Sequence, residues 1–233
     1  MNFLTMADSP TQLTKLKSIL WPFVLLIGAV IVFGFPFTGG EKLDLWFQSL
    51  FWDGQSWLIP HNSIWGDVLA YNGPKAVIIT FAVYLIFIAI FPRFSPQWLN
   101  RRQALYLLVT MASVSIISTQ LRTITYMATP LELKMYGGLH EHLLLFQNKP
   151  ANYPCHAFPA GHASGGFALI SLYWAWENKS YRRLGLAIGL FLGSWMGLYQ
   201  IARGEHFLSH TLTTALIAWL ISVVFARLIK PAA

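Results

Sequence analysis

An all-α membrane bundle of six spans is what this sequence predicts, on three observations. Hydrophobic residues make up 55% of the chain and charged residues 11%, a balance that suits lipid rather than water. Several apolar runs approach or exceed the ~18–20 residues that carry a helix across a bilayer. The basic residues gather between alternate runs, as they do where loops are sorted to two sides of a membrane.

The runs place the spans at roughly 20–37, 74–92, 104–121, 162–177, 184–202 and 208–228. The fourth begins on small and polar residues. The first follows Lys15 and Lys17 but lacks a small-residue cleavage site, which predicts a retained anchor. This divides the chain into an N-terminal segment, 1–19, and a single membrane domain, 20–230.

Ten of the sixteen basic residues lie in four segments: Lys15 and Lys17; Arg93, Arg101 and Arg102; Lys179, Arg182 and Arg183; Arg227 and Lys230. With six spans all four fall on one side, which the positive-inside rule makes cytoplasmic, together with both termini. The net charge of +7 is then topology and does not call for nucleic acid. Seven of the nine acids, Glu41, Asp44, Asp53, Asp67, Glu132, Glu141 and Glu205, fall on the other side. So do His61, His140, His142, His156, His162, His206 and His210. Longer loops there have room for polar residues in any case. The single cysteine, Cys155, excludes an internal disulfide.

Between the first two spans, Leu43–Trp52 mixes aromatics with an acid. This predicts an interfacial helix or re-entrant segment, with a lid over a lipid path as the functional alternative. The stretch from about 122 to 160 is broken by Gly137-Gly138, Pro150, Pro154 and Pro159 into short pieces. In the fifth span Gly185, Gly189, Gly193 and Gly197 recur every fourth residue, so one helix face admits a close neighbour. Gly161, Ala163, Ser164, Gly165 and Gly166 make the start of the fourth span similarly small. A small helix start also leaves N–H groups open to an anion.

Two stretches carry the chemistry. Pro159-Ala160-Gly161-His162 puts a histidine at a helix start. Arg203-Gly204-Glu205-His206-Phe207-Leu208-Ser209-His210 puts two histidines at i and i+4, with an arginine on much the same face. Histidine gains and loses protons near neutral pH, and arginine's planar fork suits phosphate. If the fourth and sixth spans are neighbours, these residues meet at the membrane edge. A nucleophilic histidine needs a phosphate-orienting cation, a proton donor for the leaving oxygen and a partner on its second nitrogen. The residue types for each are present. The same histidines leave a metal or haem site open as an alternative, as the chain as a whole leaves a non-catalytic lipid-binding protein.

At these residues the chain resembles the type-2 phosphatidic acid phosphatase superfamily. That family's second motif reads Pro-Ser-Gly-His, matched by residues 159–162. Its third has a histidine followed four positions later by aspartate, matched by His206 and His210. Its first, a lysine, six residues and Arg-Pro, meets Arg122, Thr129 and Pro130. The resemblance covers about residues 70–228. It departs from the family at Gln200, where a phosphate-binding arginine stands, at Ala160 for serine and at His210 for aspartate.

The resemblance implies that His206 attacks phosphorus and becomes a phosphohistidine, and that His162 protonates the leaving oxygen. Arg122 would clamp the phosphate with Arg203, and His210 would orient His206. The backbone of Ala160 and Gly161, and Lys134, complete the expected phosphate-binding set. Glu205, Glu132, Glu141 and Asp67 are candidates for the missing carboxylate. No metal or cofactor is expected. The implied substrate is a phosphorylated lipid at the outer face of an inner membrane, hydrolysed or used in phosphotransfer to a second lipid.

Overall fold

The structure, a computed structural model, describes residues 10–232 apart from residue 62, with side chains from residue 17 onward. Lys15 and the first nine residues of the expected N-terminal segment lie outside that description. The described chain is helical: α1 (Pro10–Gly34), α2 (Gly40–Ser49), α3 (Ile64–Ile90), α4 (Arg101–Ile124), α5 (Gly161–Ala168), α6 (Leu172–Ala175), α7 (Lys179–Ala202) and α8 (Leu208–Ile229). No strand forms among the described residues.

Five helices are long and apolar enough to cross a membrane: α1 from Lys17, then α3, α4, α7 and α8. Large apolar side chains such as Trp21, Val77, Phe191 and Trp195 remain exposed on them. That is a surface for lipid, with each helix satisfying its own backbone. The expected fourth span differs. Residues 161–175 form α5, a 3₁₀ turn (Leu169–Ser171) and α6, only about 22 Å at helical rise. It lies at the centre, packed by α3, α4, α7 and α8, while α1 packs along α8. Its small residues explain the place: Ala163, Gly166 and Ala168 are buried.

The glycine stripe of α7 does what its spacing predicts. A Cβ at Gly189 would sit 2.4 Å from the Ile170 backbone, and one at Gly193 would sit 2.3 Å from the Phe167 ring. Leu172 and Thr211 crowd Gly185 and Gly197 in the same way. The stripe thus seats α7 directly on the 161–175 segment. At the opposite end, Asn100 and Gln103 form a capping box that starts α4, and Gln103 Nε2 donates to the Ala175 carbonyl at 2.7 Å. Tyr106 ties the interior together, its hydroxyl near the carbonyls of Ser171 (3.2 Å) and Ser222 (3.1 Å).

The aromatic stretch after α1 does form a helix, α2, but it is more than an interfacial anchor. Leu43, Trp46 and Leu50 are exposed, while Asp44 and Gln48 are buried. Spaced i and i+4, they share one face, and that face meets the start of α8. No side chain of its own caps α8. Asp44 does so from α2, accepting the Ser209 N–H at 2.8 Å. Burial outweighs that hydrogen bonding and pushes the Asp44 carboxyl from 3.8 up to about 6.

A raised folded pKa means that the contribution of Asp44 favours the fold below pH 3.8 and is lost as pH rises through about 6. Asp44→Asn keeps an acceptor for Ser209 without a buried charge. It is expected to be more stable than the parent at pH 8, by about 3 kcal/mol, with the gain shrinking toward pH 4. Thermal unfolding in detergent across that range measures it, and an offset independent of pH would contradict the assignment.

Candidate active site

The turn between α7 and α8 is built to hold two side chains, those of Arg203 and His206. The last carbonyls of a helix have no partner within it, and here each finds one elsewhere. Gln48 Nε2 donates to Ile201 O (2.9 Å), Ile59 N to Ala202 O (3.2 Å) and Leu131 N to Gly204 O (2.9 Å), while His61 Nε2 lies 2.8 Å from Arg203 O. Gly204 reverses the chain at φ 78°, where a side chain would be strained. Its open side is filled by Trp57, whose ring a Cβ would meet at 2.5 Å. This sends Arg203 one way and His206 the other.

His206 is 1% exposed, and its Nε2 lies 3.0 Å from Nδ1 of His162. His162 is the second residue of α5 and half-buried. The spans that were expected to be neighbours therefore do bring the two motif histidines into contact. Burial, with the neighbouring His162, His210 and Arg122, holds the His206 imidazole well below its ordinary pKa of 6.5. That favours the neutral imidazole, whose Nε2 is engaged with His162.

Arg122 ends α4 and lies across the start of α5. Its Nε donates to the His156 carbonyl at 2.7 Å. A Cβ on Gly161 would come within 2.7 Å of its Nη1, so the glycine makes room for the guanidinium. Among the described residues no carboxylate lies within ion-pair distance of Arg122. Arg122, Gly161 and His162 line one cavity of about 330 Å³ with Tyr71, Lys75 and Met196.

Arg203 is placed differently from the expectation. Its guanidinium pairs with Asp67 of α3, near the Tyr199 hydroxyl (3.2 Å) and His61 Nδ1 (3.2 Å). Tyr199 donates to the same Asp67 oxygen at 2.8 Å. Asp67, Tyr199 and His61 were not legible as a group, because His61 and Asp67 lie more than 130 positions from Tyr199 and Arg203. Asp67 begins a π-helical stretch, Asp67–Asn72, within α3, a local change of pitch that spacing rules for a regular helix do not anticipate.

Three further expectations are corrected. Ala160 has no N–H to offer phosphate: it is fully buried and donates to the His210 carbonyl at 3.2 Å. Lys134 stands on an exposed loop, paired with Glu141 at 2.6 Å, away from the cavity. His210 packs edge-on to His206 with ring centroids 5.9 Å apart, and neither Nδ1 has a hydrogen-bond partner. The carbonyl of Ala157 lies beside both rings. None of the four candidate carboxylates takes the orienting place. Asp67 holds Arg203, Glu132 caps Thr129 (2.8 Å), Glu141 holds Lys134 and Glu205 faces His61 (3.5 Å). Thr129, at the motif position of an arginine, is used in that cap. His142 binds Glu41 at 3.0 Å and stacks near Phe207, and His140 packs on Tyr153. Among the described residues, no three His, Cys, Asp or Glu side chains are arranged to hold a metal ion.

The PAP2 superfamily model matches residues 103–232. No curated protein and no solved structure matches the chain.

Proposed function

Because the chain belongs to the PAP2 superfamily, a family of phosphatases, we propose that it is a membrane enzyme that removes phosphate from a lipid through a phosphohistidine on His206. The observation that carries this reading is the 3.0 Å approach of His206 Nε2 to His162 Nδ1, with the unpaired Arg122 guanidinium beside them. The two rings bond each other, so a phosphoryl group has to part them as it binds. Nε2 of His206 then attacks phosphorus while the bond to the lipid oxygen breaks. His162, which takes up a proton as the anionic phosphate enters beside it, gives that proton to the oxygen, and the lipid leaves as an alcohol. Water next attacks the phosphohistidine, His162 takes its proton, phosphate departs and neutral His206 returns.

The transition state spreads charge over the phosphoryl oxygens, so fixed cations and N–H donors supply most of the stabilisation. Arg122 is the cation with free valence for this. Arg203, already paired with Asp67, holds the turn of His206 and adds its field from behind. His210 packs against His206 and limits its rotation. In the topology inferred from the basic loops, this end of the bundle faces the outer leaflet, where the lipid phosphate would lie.

The test is a panel of phosphorylated lipids (phosphatidate, phosphatidylglycerol phosphate, a polyprenyl diphosphate and a phosphorylated lipid A) incubated with detergent-purified protein. Released phosphate is measured. Turnover of at least one member, lost in His206→Ala, is the expected result. No release from any of them would remove the hydrolase reading.

A further inference from the structure

Arg203 is already paired with Asp67, and the charge of Glu205 acts on Arg122 from beyond pairing distance. Arg122 and Lys75 line the same cavity as His162, and neither has a carboxylate within ion-pair distance among the described residues. Lys75 stands in α3, close after the π-helical stretch. Its Nζ lies 5.4 Å from the centre of the Tyr71 ring, and that ring stands edge-on to His162 at 5.3 Å. Lys75 is thus one aromatic ring away from the histidine that would protonate the leaving oxygen. The charges of Arg122, Arg203 and Lys75 all reach the His162 ring.

A lone lysine in the body of a 27-residue apolar helix, Ile64–Ile90, is expensive beside lipid unless something uses its charge. Beyond the two cations the cavity wall is mixed, with Ile78, Ile79 and Met196 beside the hydroxyls of Ser115, Thr119 and Ser164. The charge selects among phosphates. A monoester carries about −1.5 to −2 at pH 7 with a second pKa near 6, whereas a diester carries a single charge. Two free cations match the first and exceed the second.

We propose that Lys75 is a second ligand for the phosphate that Arg122 clamps, and that it selects a phosphate monoester over a diester. The inference rests on the reading of the cavity as the place of the lipid phosphate. Arg122 grips two oxygens with its fork, while Lys75 meets a third as a point charge. Tyr71 sets the lysine's position by stacking beneath it.

Binding separates this from the enzyme reading, because it needs no turnover. In the His206→Ala protein, native mass spectrometry at pH 8 compares phosphatidate with phosphatidylmethanol, its singly charged methyl ester. The first is expected to bind about tenfold tighter, the gain of a second charge-assisted contact. Lys75→Gln in that background should erase the difference by weakening phosphatidate about tenfold and leaving the methyl ester nearly unchanged. Lys75→Arg should retain the preference. Equal weakening of both lipids, or no change in either, overturns the site. Inorganic phosphate that competes as well as the whole lipid would reassign it to a free anion. Should the unmutated enzyme release no phosphate from any lipid while this selectivity persists, the hydrolase reading fails and the binding site stands.

Discussion

Replacing His206 by alanine is expected to abolish phosphate release, since the variant lacks the atom that would carry the phosphoryl group. Its partner behaves differently. His162→Ala should lose about 10²–10⁴-fold on a lipid alkoxide leaving group, the usual worth of a positioned general acid. On an aryl phosphate, whose leaving group needs no proton, most of that loss should vanish. The ratio of the two losses is therefore diagnostic. Equal losses on both substrates would make His162 a binding or packing residue. The pH profile of kcat adds an independent check. Burial holds His206 well below the ordinary histidine value. Its neutral, nucleophilic form therefore persists as pH falls through 6.5, and the acid limb due to His206 should lie beneath that value. A limb at or above 6.5 would mean that the nucleophile is not held neutral by its site.

A large loss of stability is expected at Gly166. A Cβ there would lie 2.6 Å from the backbone nitrogen of Gly193, and neither helix backbone can yield without unseating the other. Gly166→Ala should destabilise the bundle by at least the ~1–3 kcal/mol typical of overpacking. Because α5 carries His162 and α7 leads into Arg203, activity should fall with it. Gly28→Ala is the control. That glycine is in α1 with nothing within 4 Å of its Cβ position, so alanine should be neutral or stabilise by up to ~1 kcal/mol through helix propensity. Thermal unfolding in detergent compares the two. A midpoint for Gly166→Ala within a degree of the parent would show that α5 and α7 sit further apart than described.

Lys75 shows how a site residue can be visible and still be passed over. It was there to be read, a lone charge close to the start of an apolar run, yet it lacked a motif to attach it to His162. The link is Tyr71, one turn earlier, and it exists only because of how α3 packs beside α5. Asp67 was read as a possible partner for His206. It serves Arg203 instead, and nothing in sequence spacing could choose between two partners 136 and 139 positions away. Asp44 was counted only among the acids of one membrane side, because a helix that lacks its own cap does not announce which distant carboxylate will supply one.

The sequence by itself determined the class: an all-helical chain with runs long and apolar enough to cross a membrane, a glycine face for close packing, and two histidines in family motifs. Those follow from composition and local period, which depend on neighbours along the chain. The tertiary structure alone decided which charges remain free. Pairing Arg203 with Asp67 and Lys134 with Glu141, while leaving Arg122 and Lys75 unpaired beside His162, depends on distances between residues far apart in sequence. Electrostatic attraction is fixed by those distances, not by order along the chain. The short central segment 161–175 has the same origin, since a helix enclosed by four others is placed by its packing partners and needs neither the length nor the uniform apolar surface of a lipid-facing span.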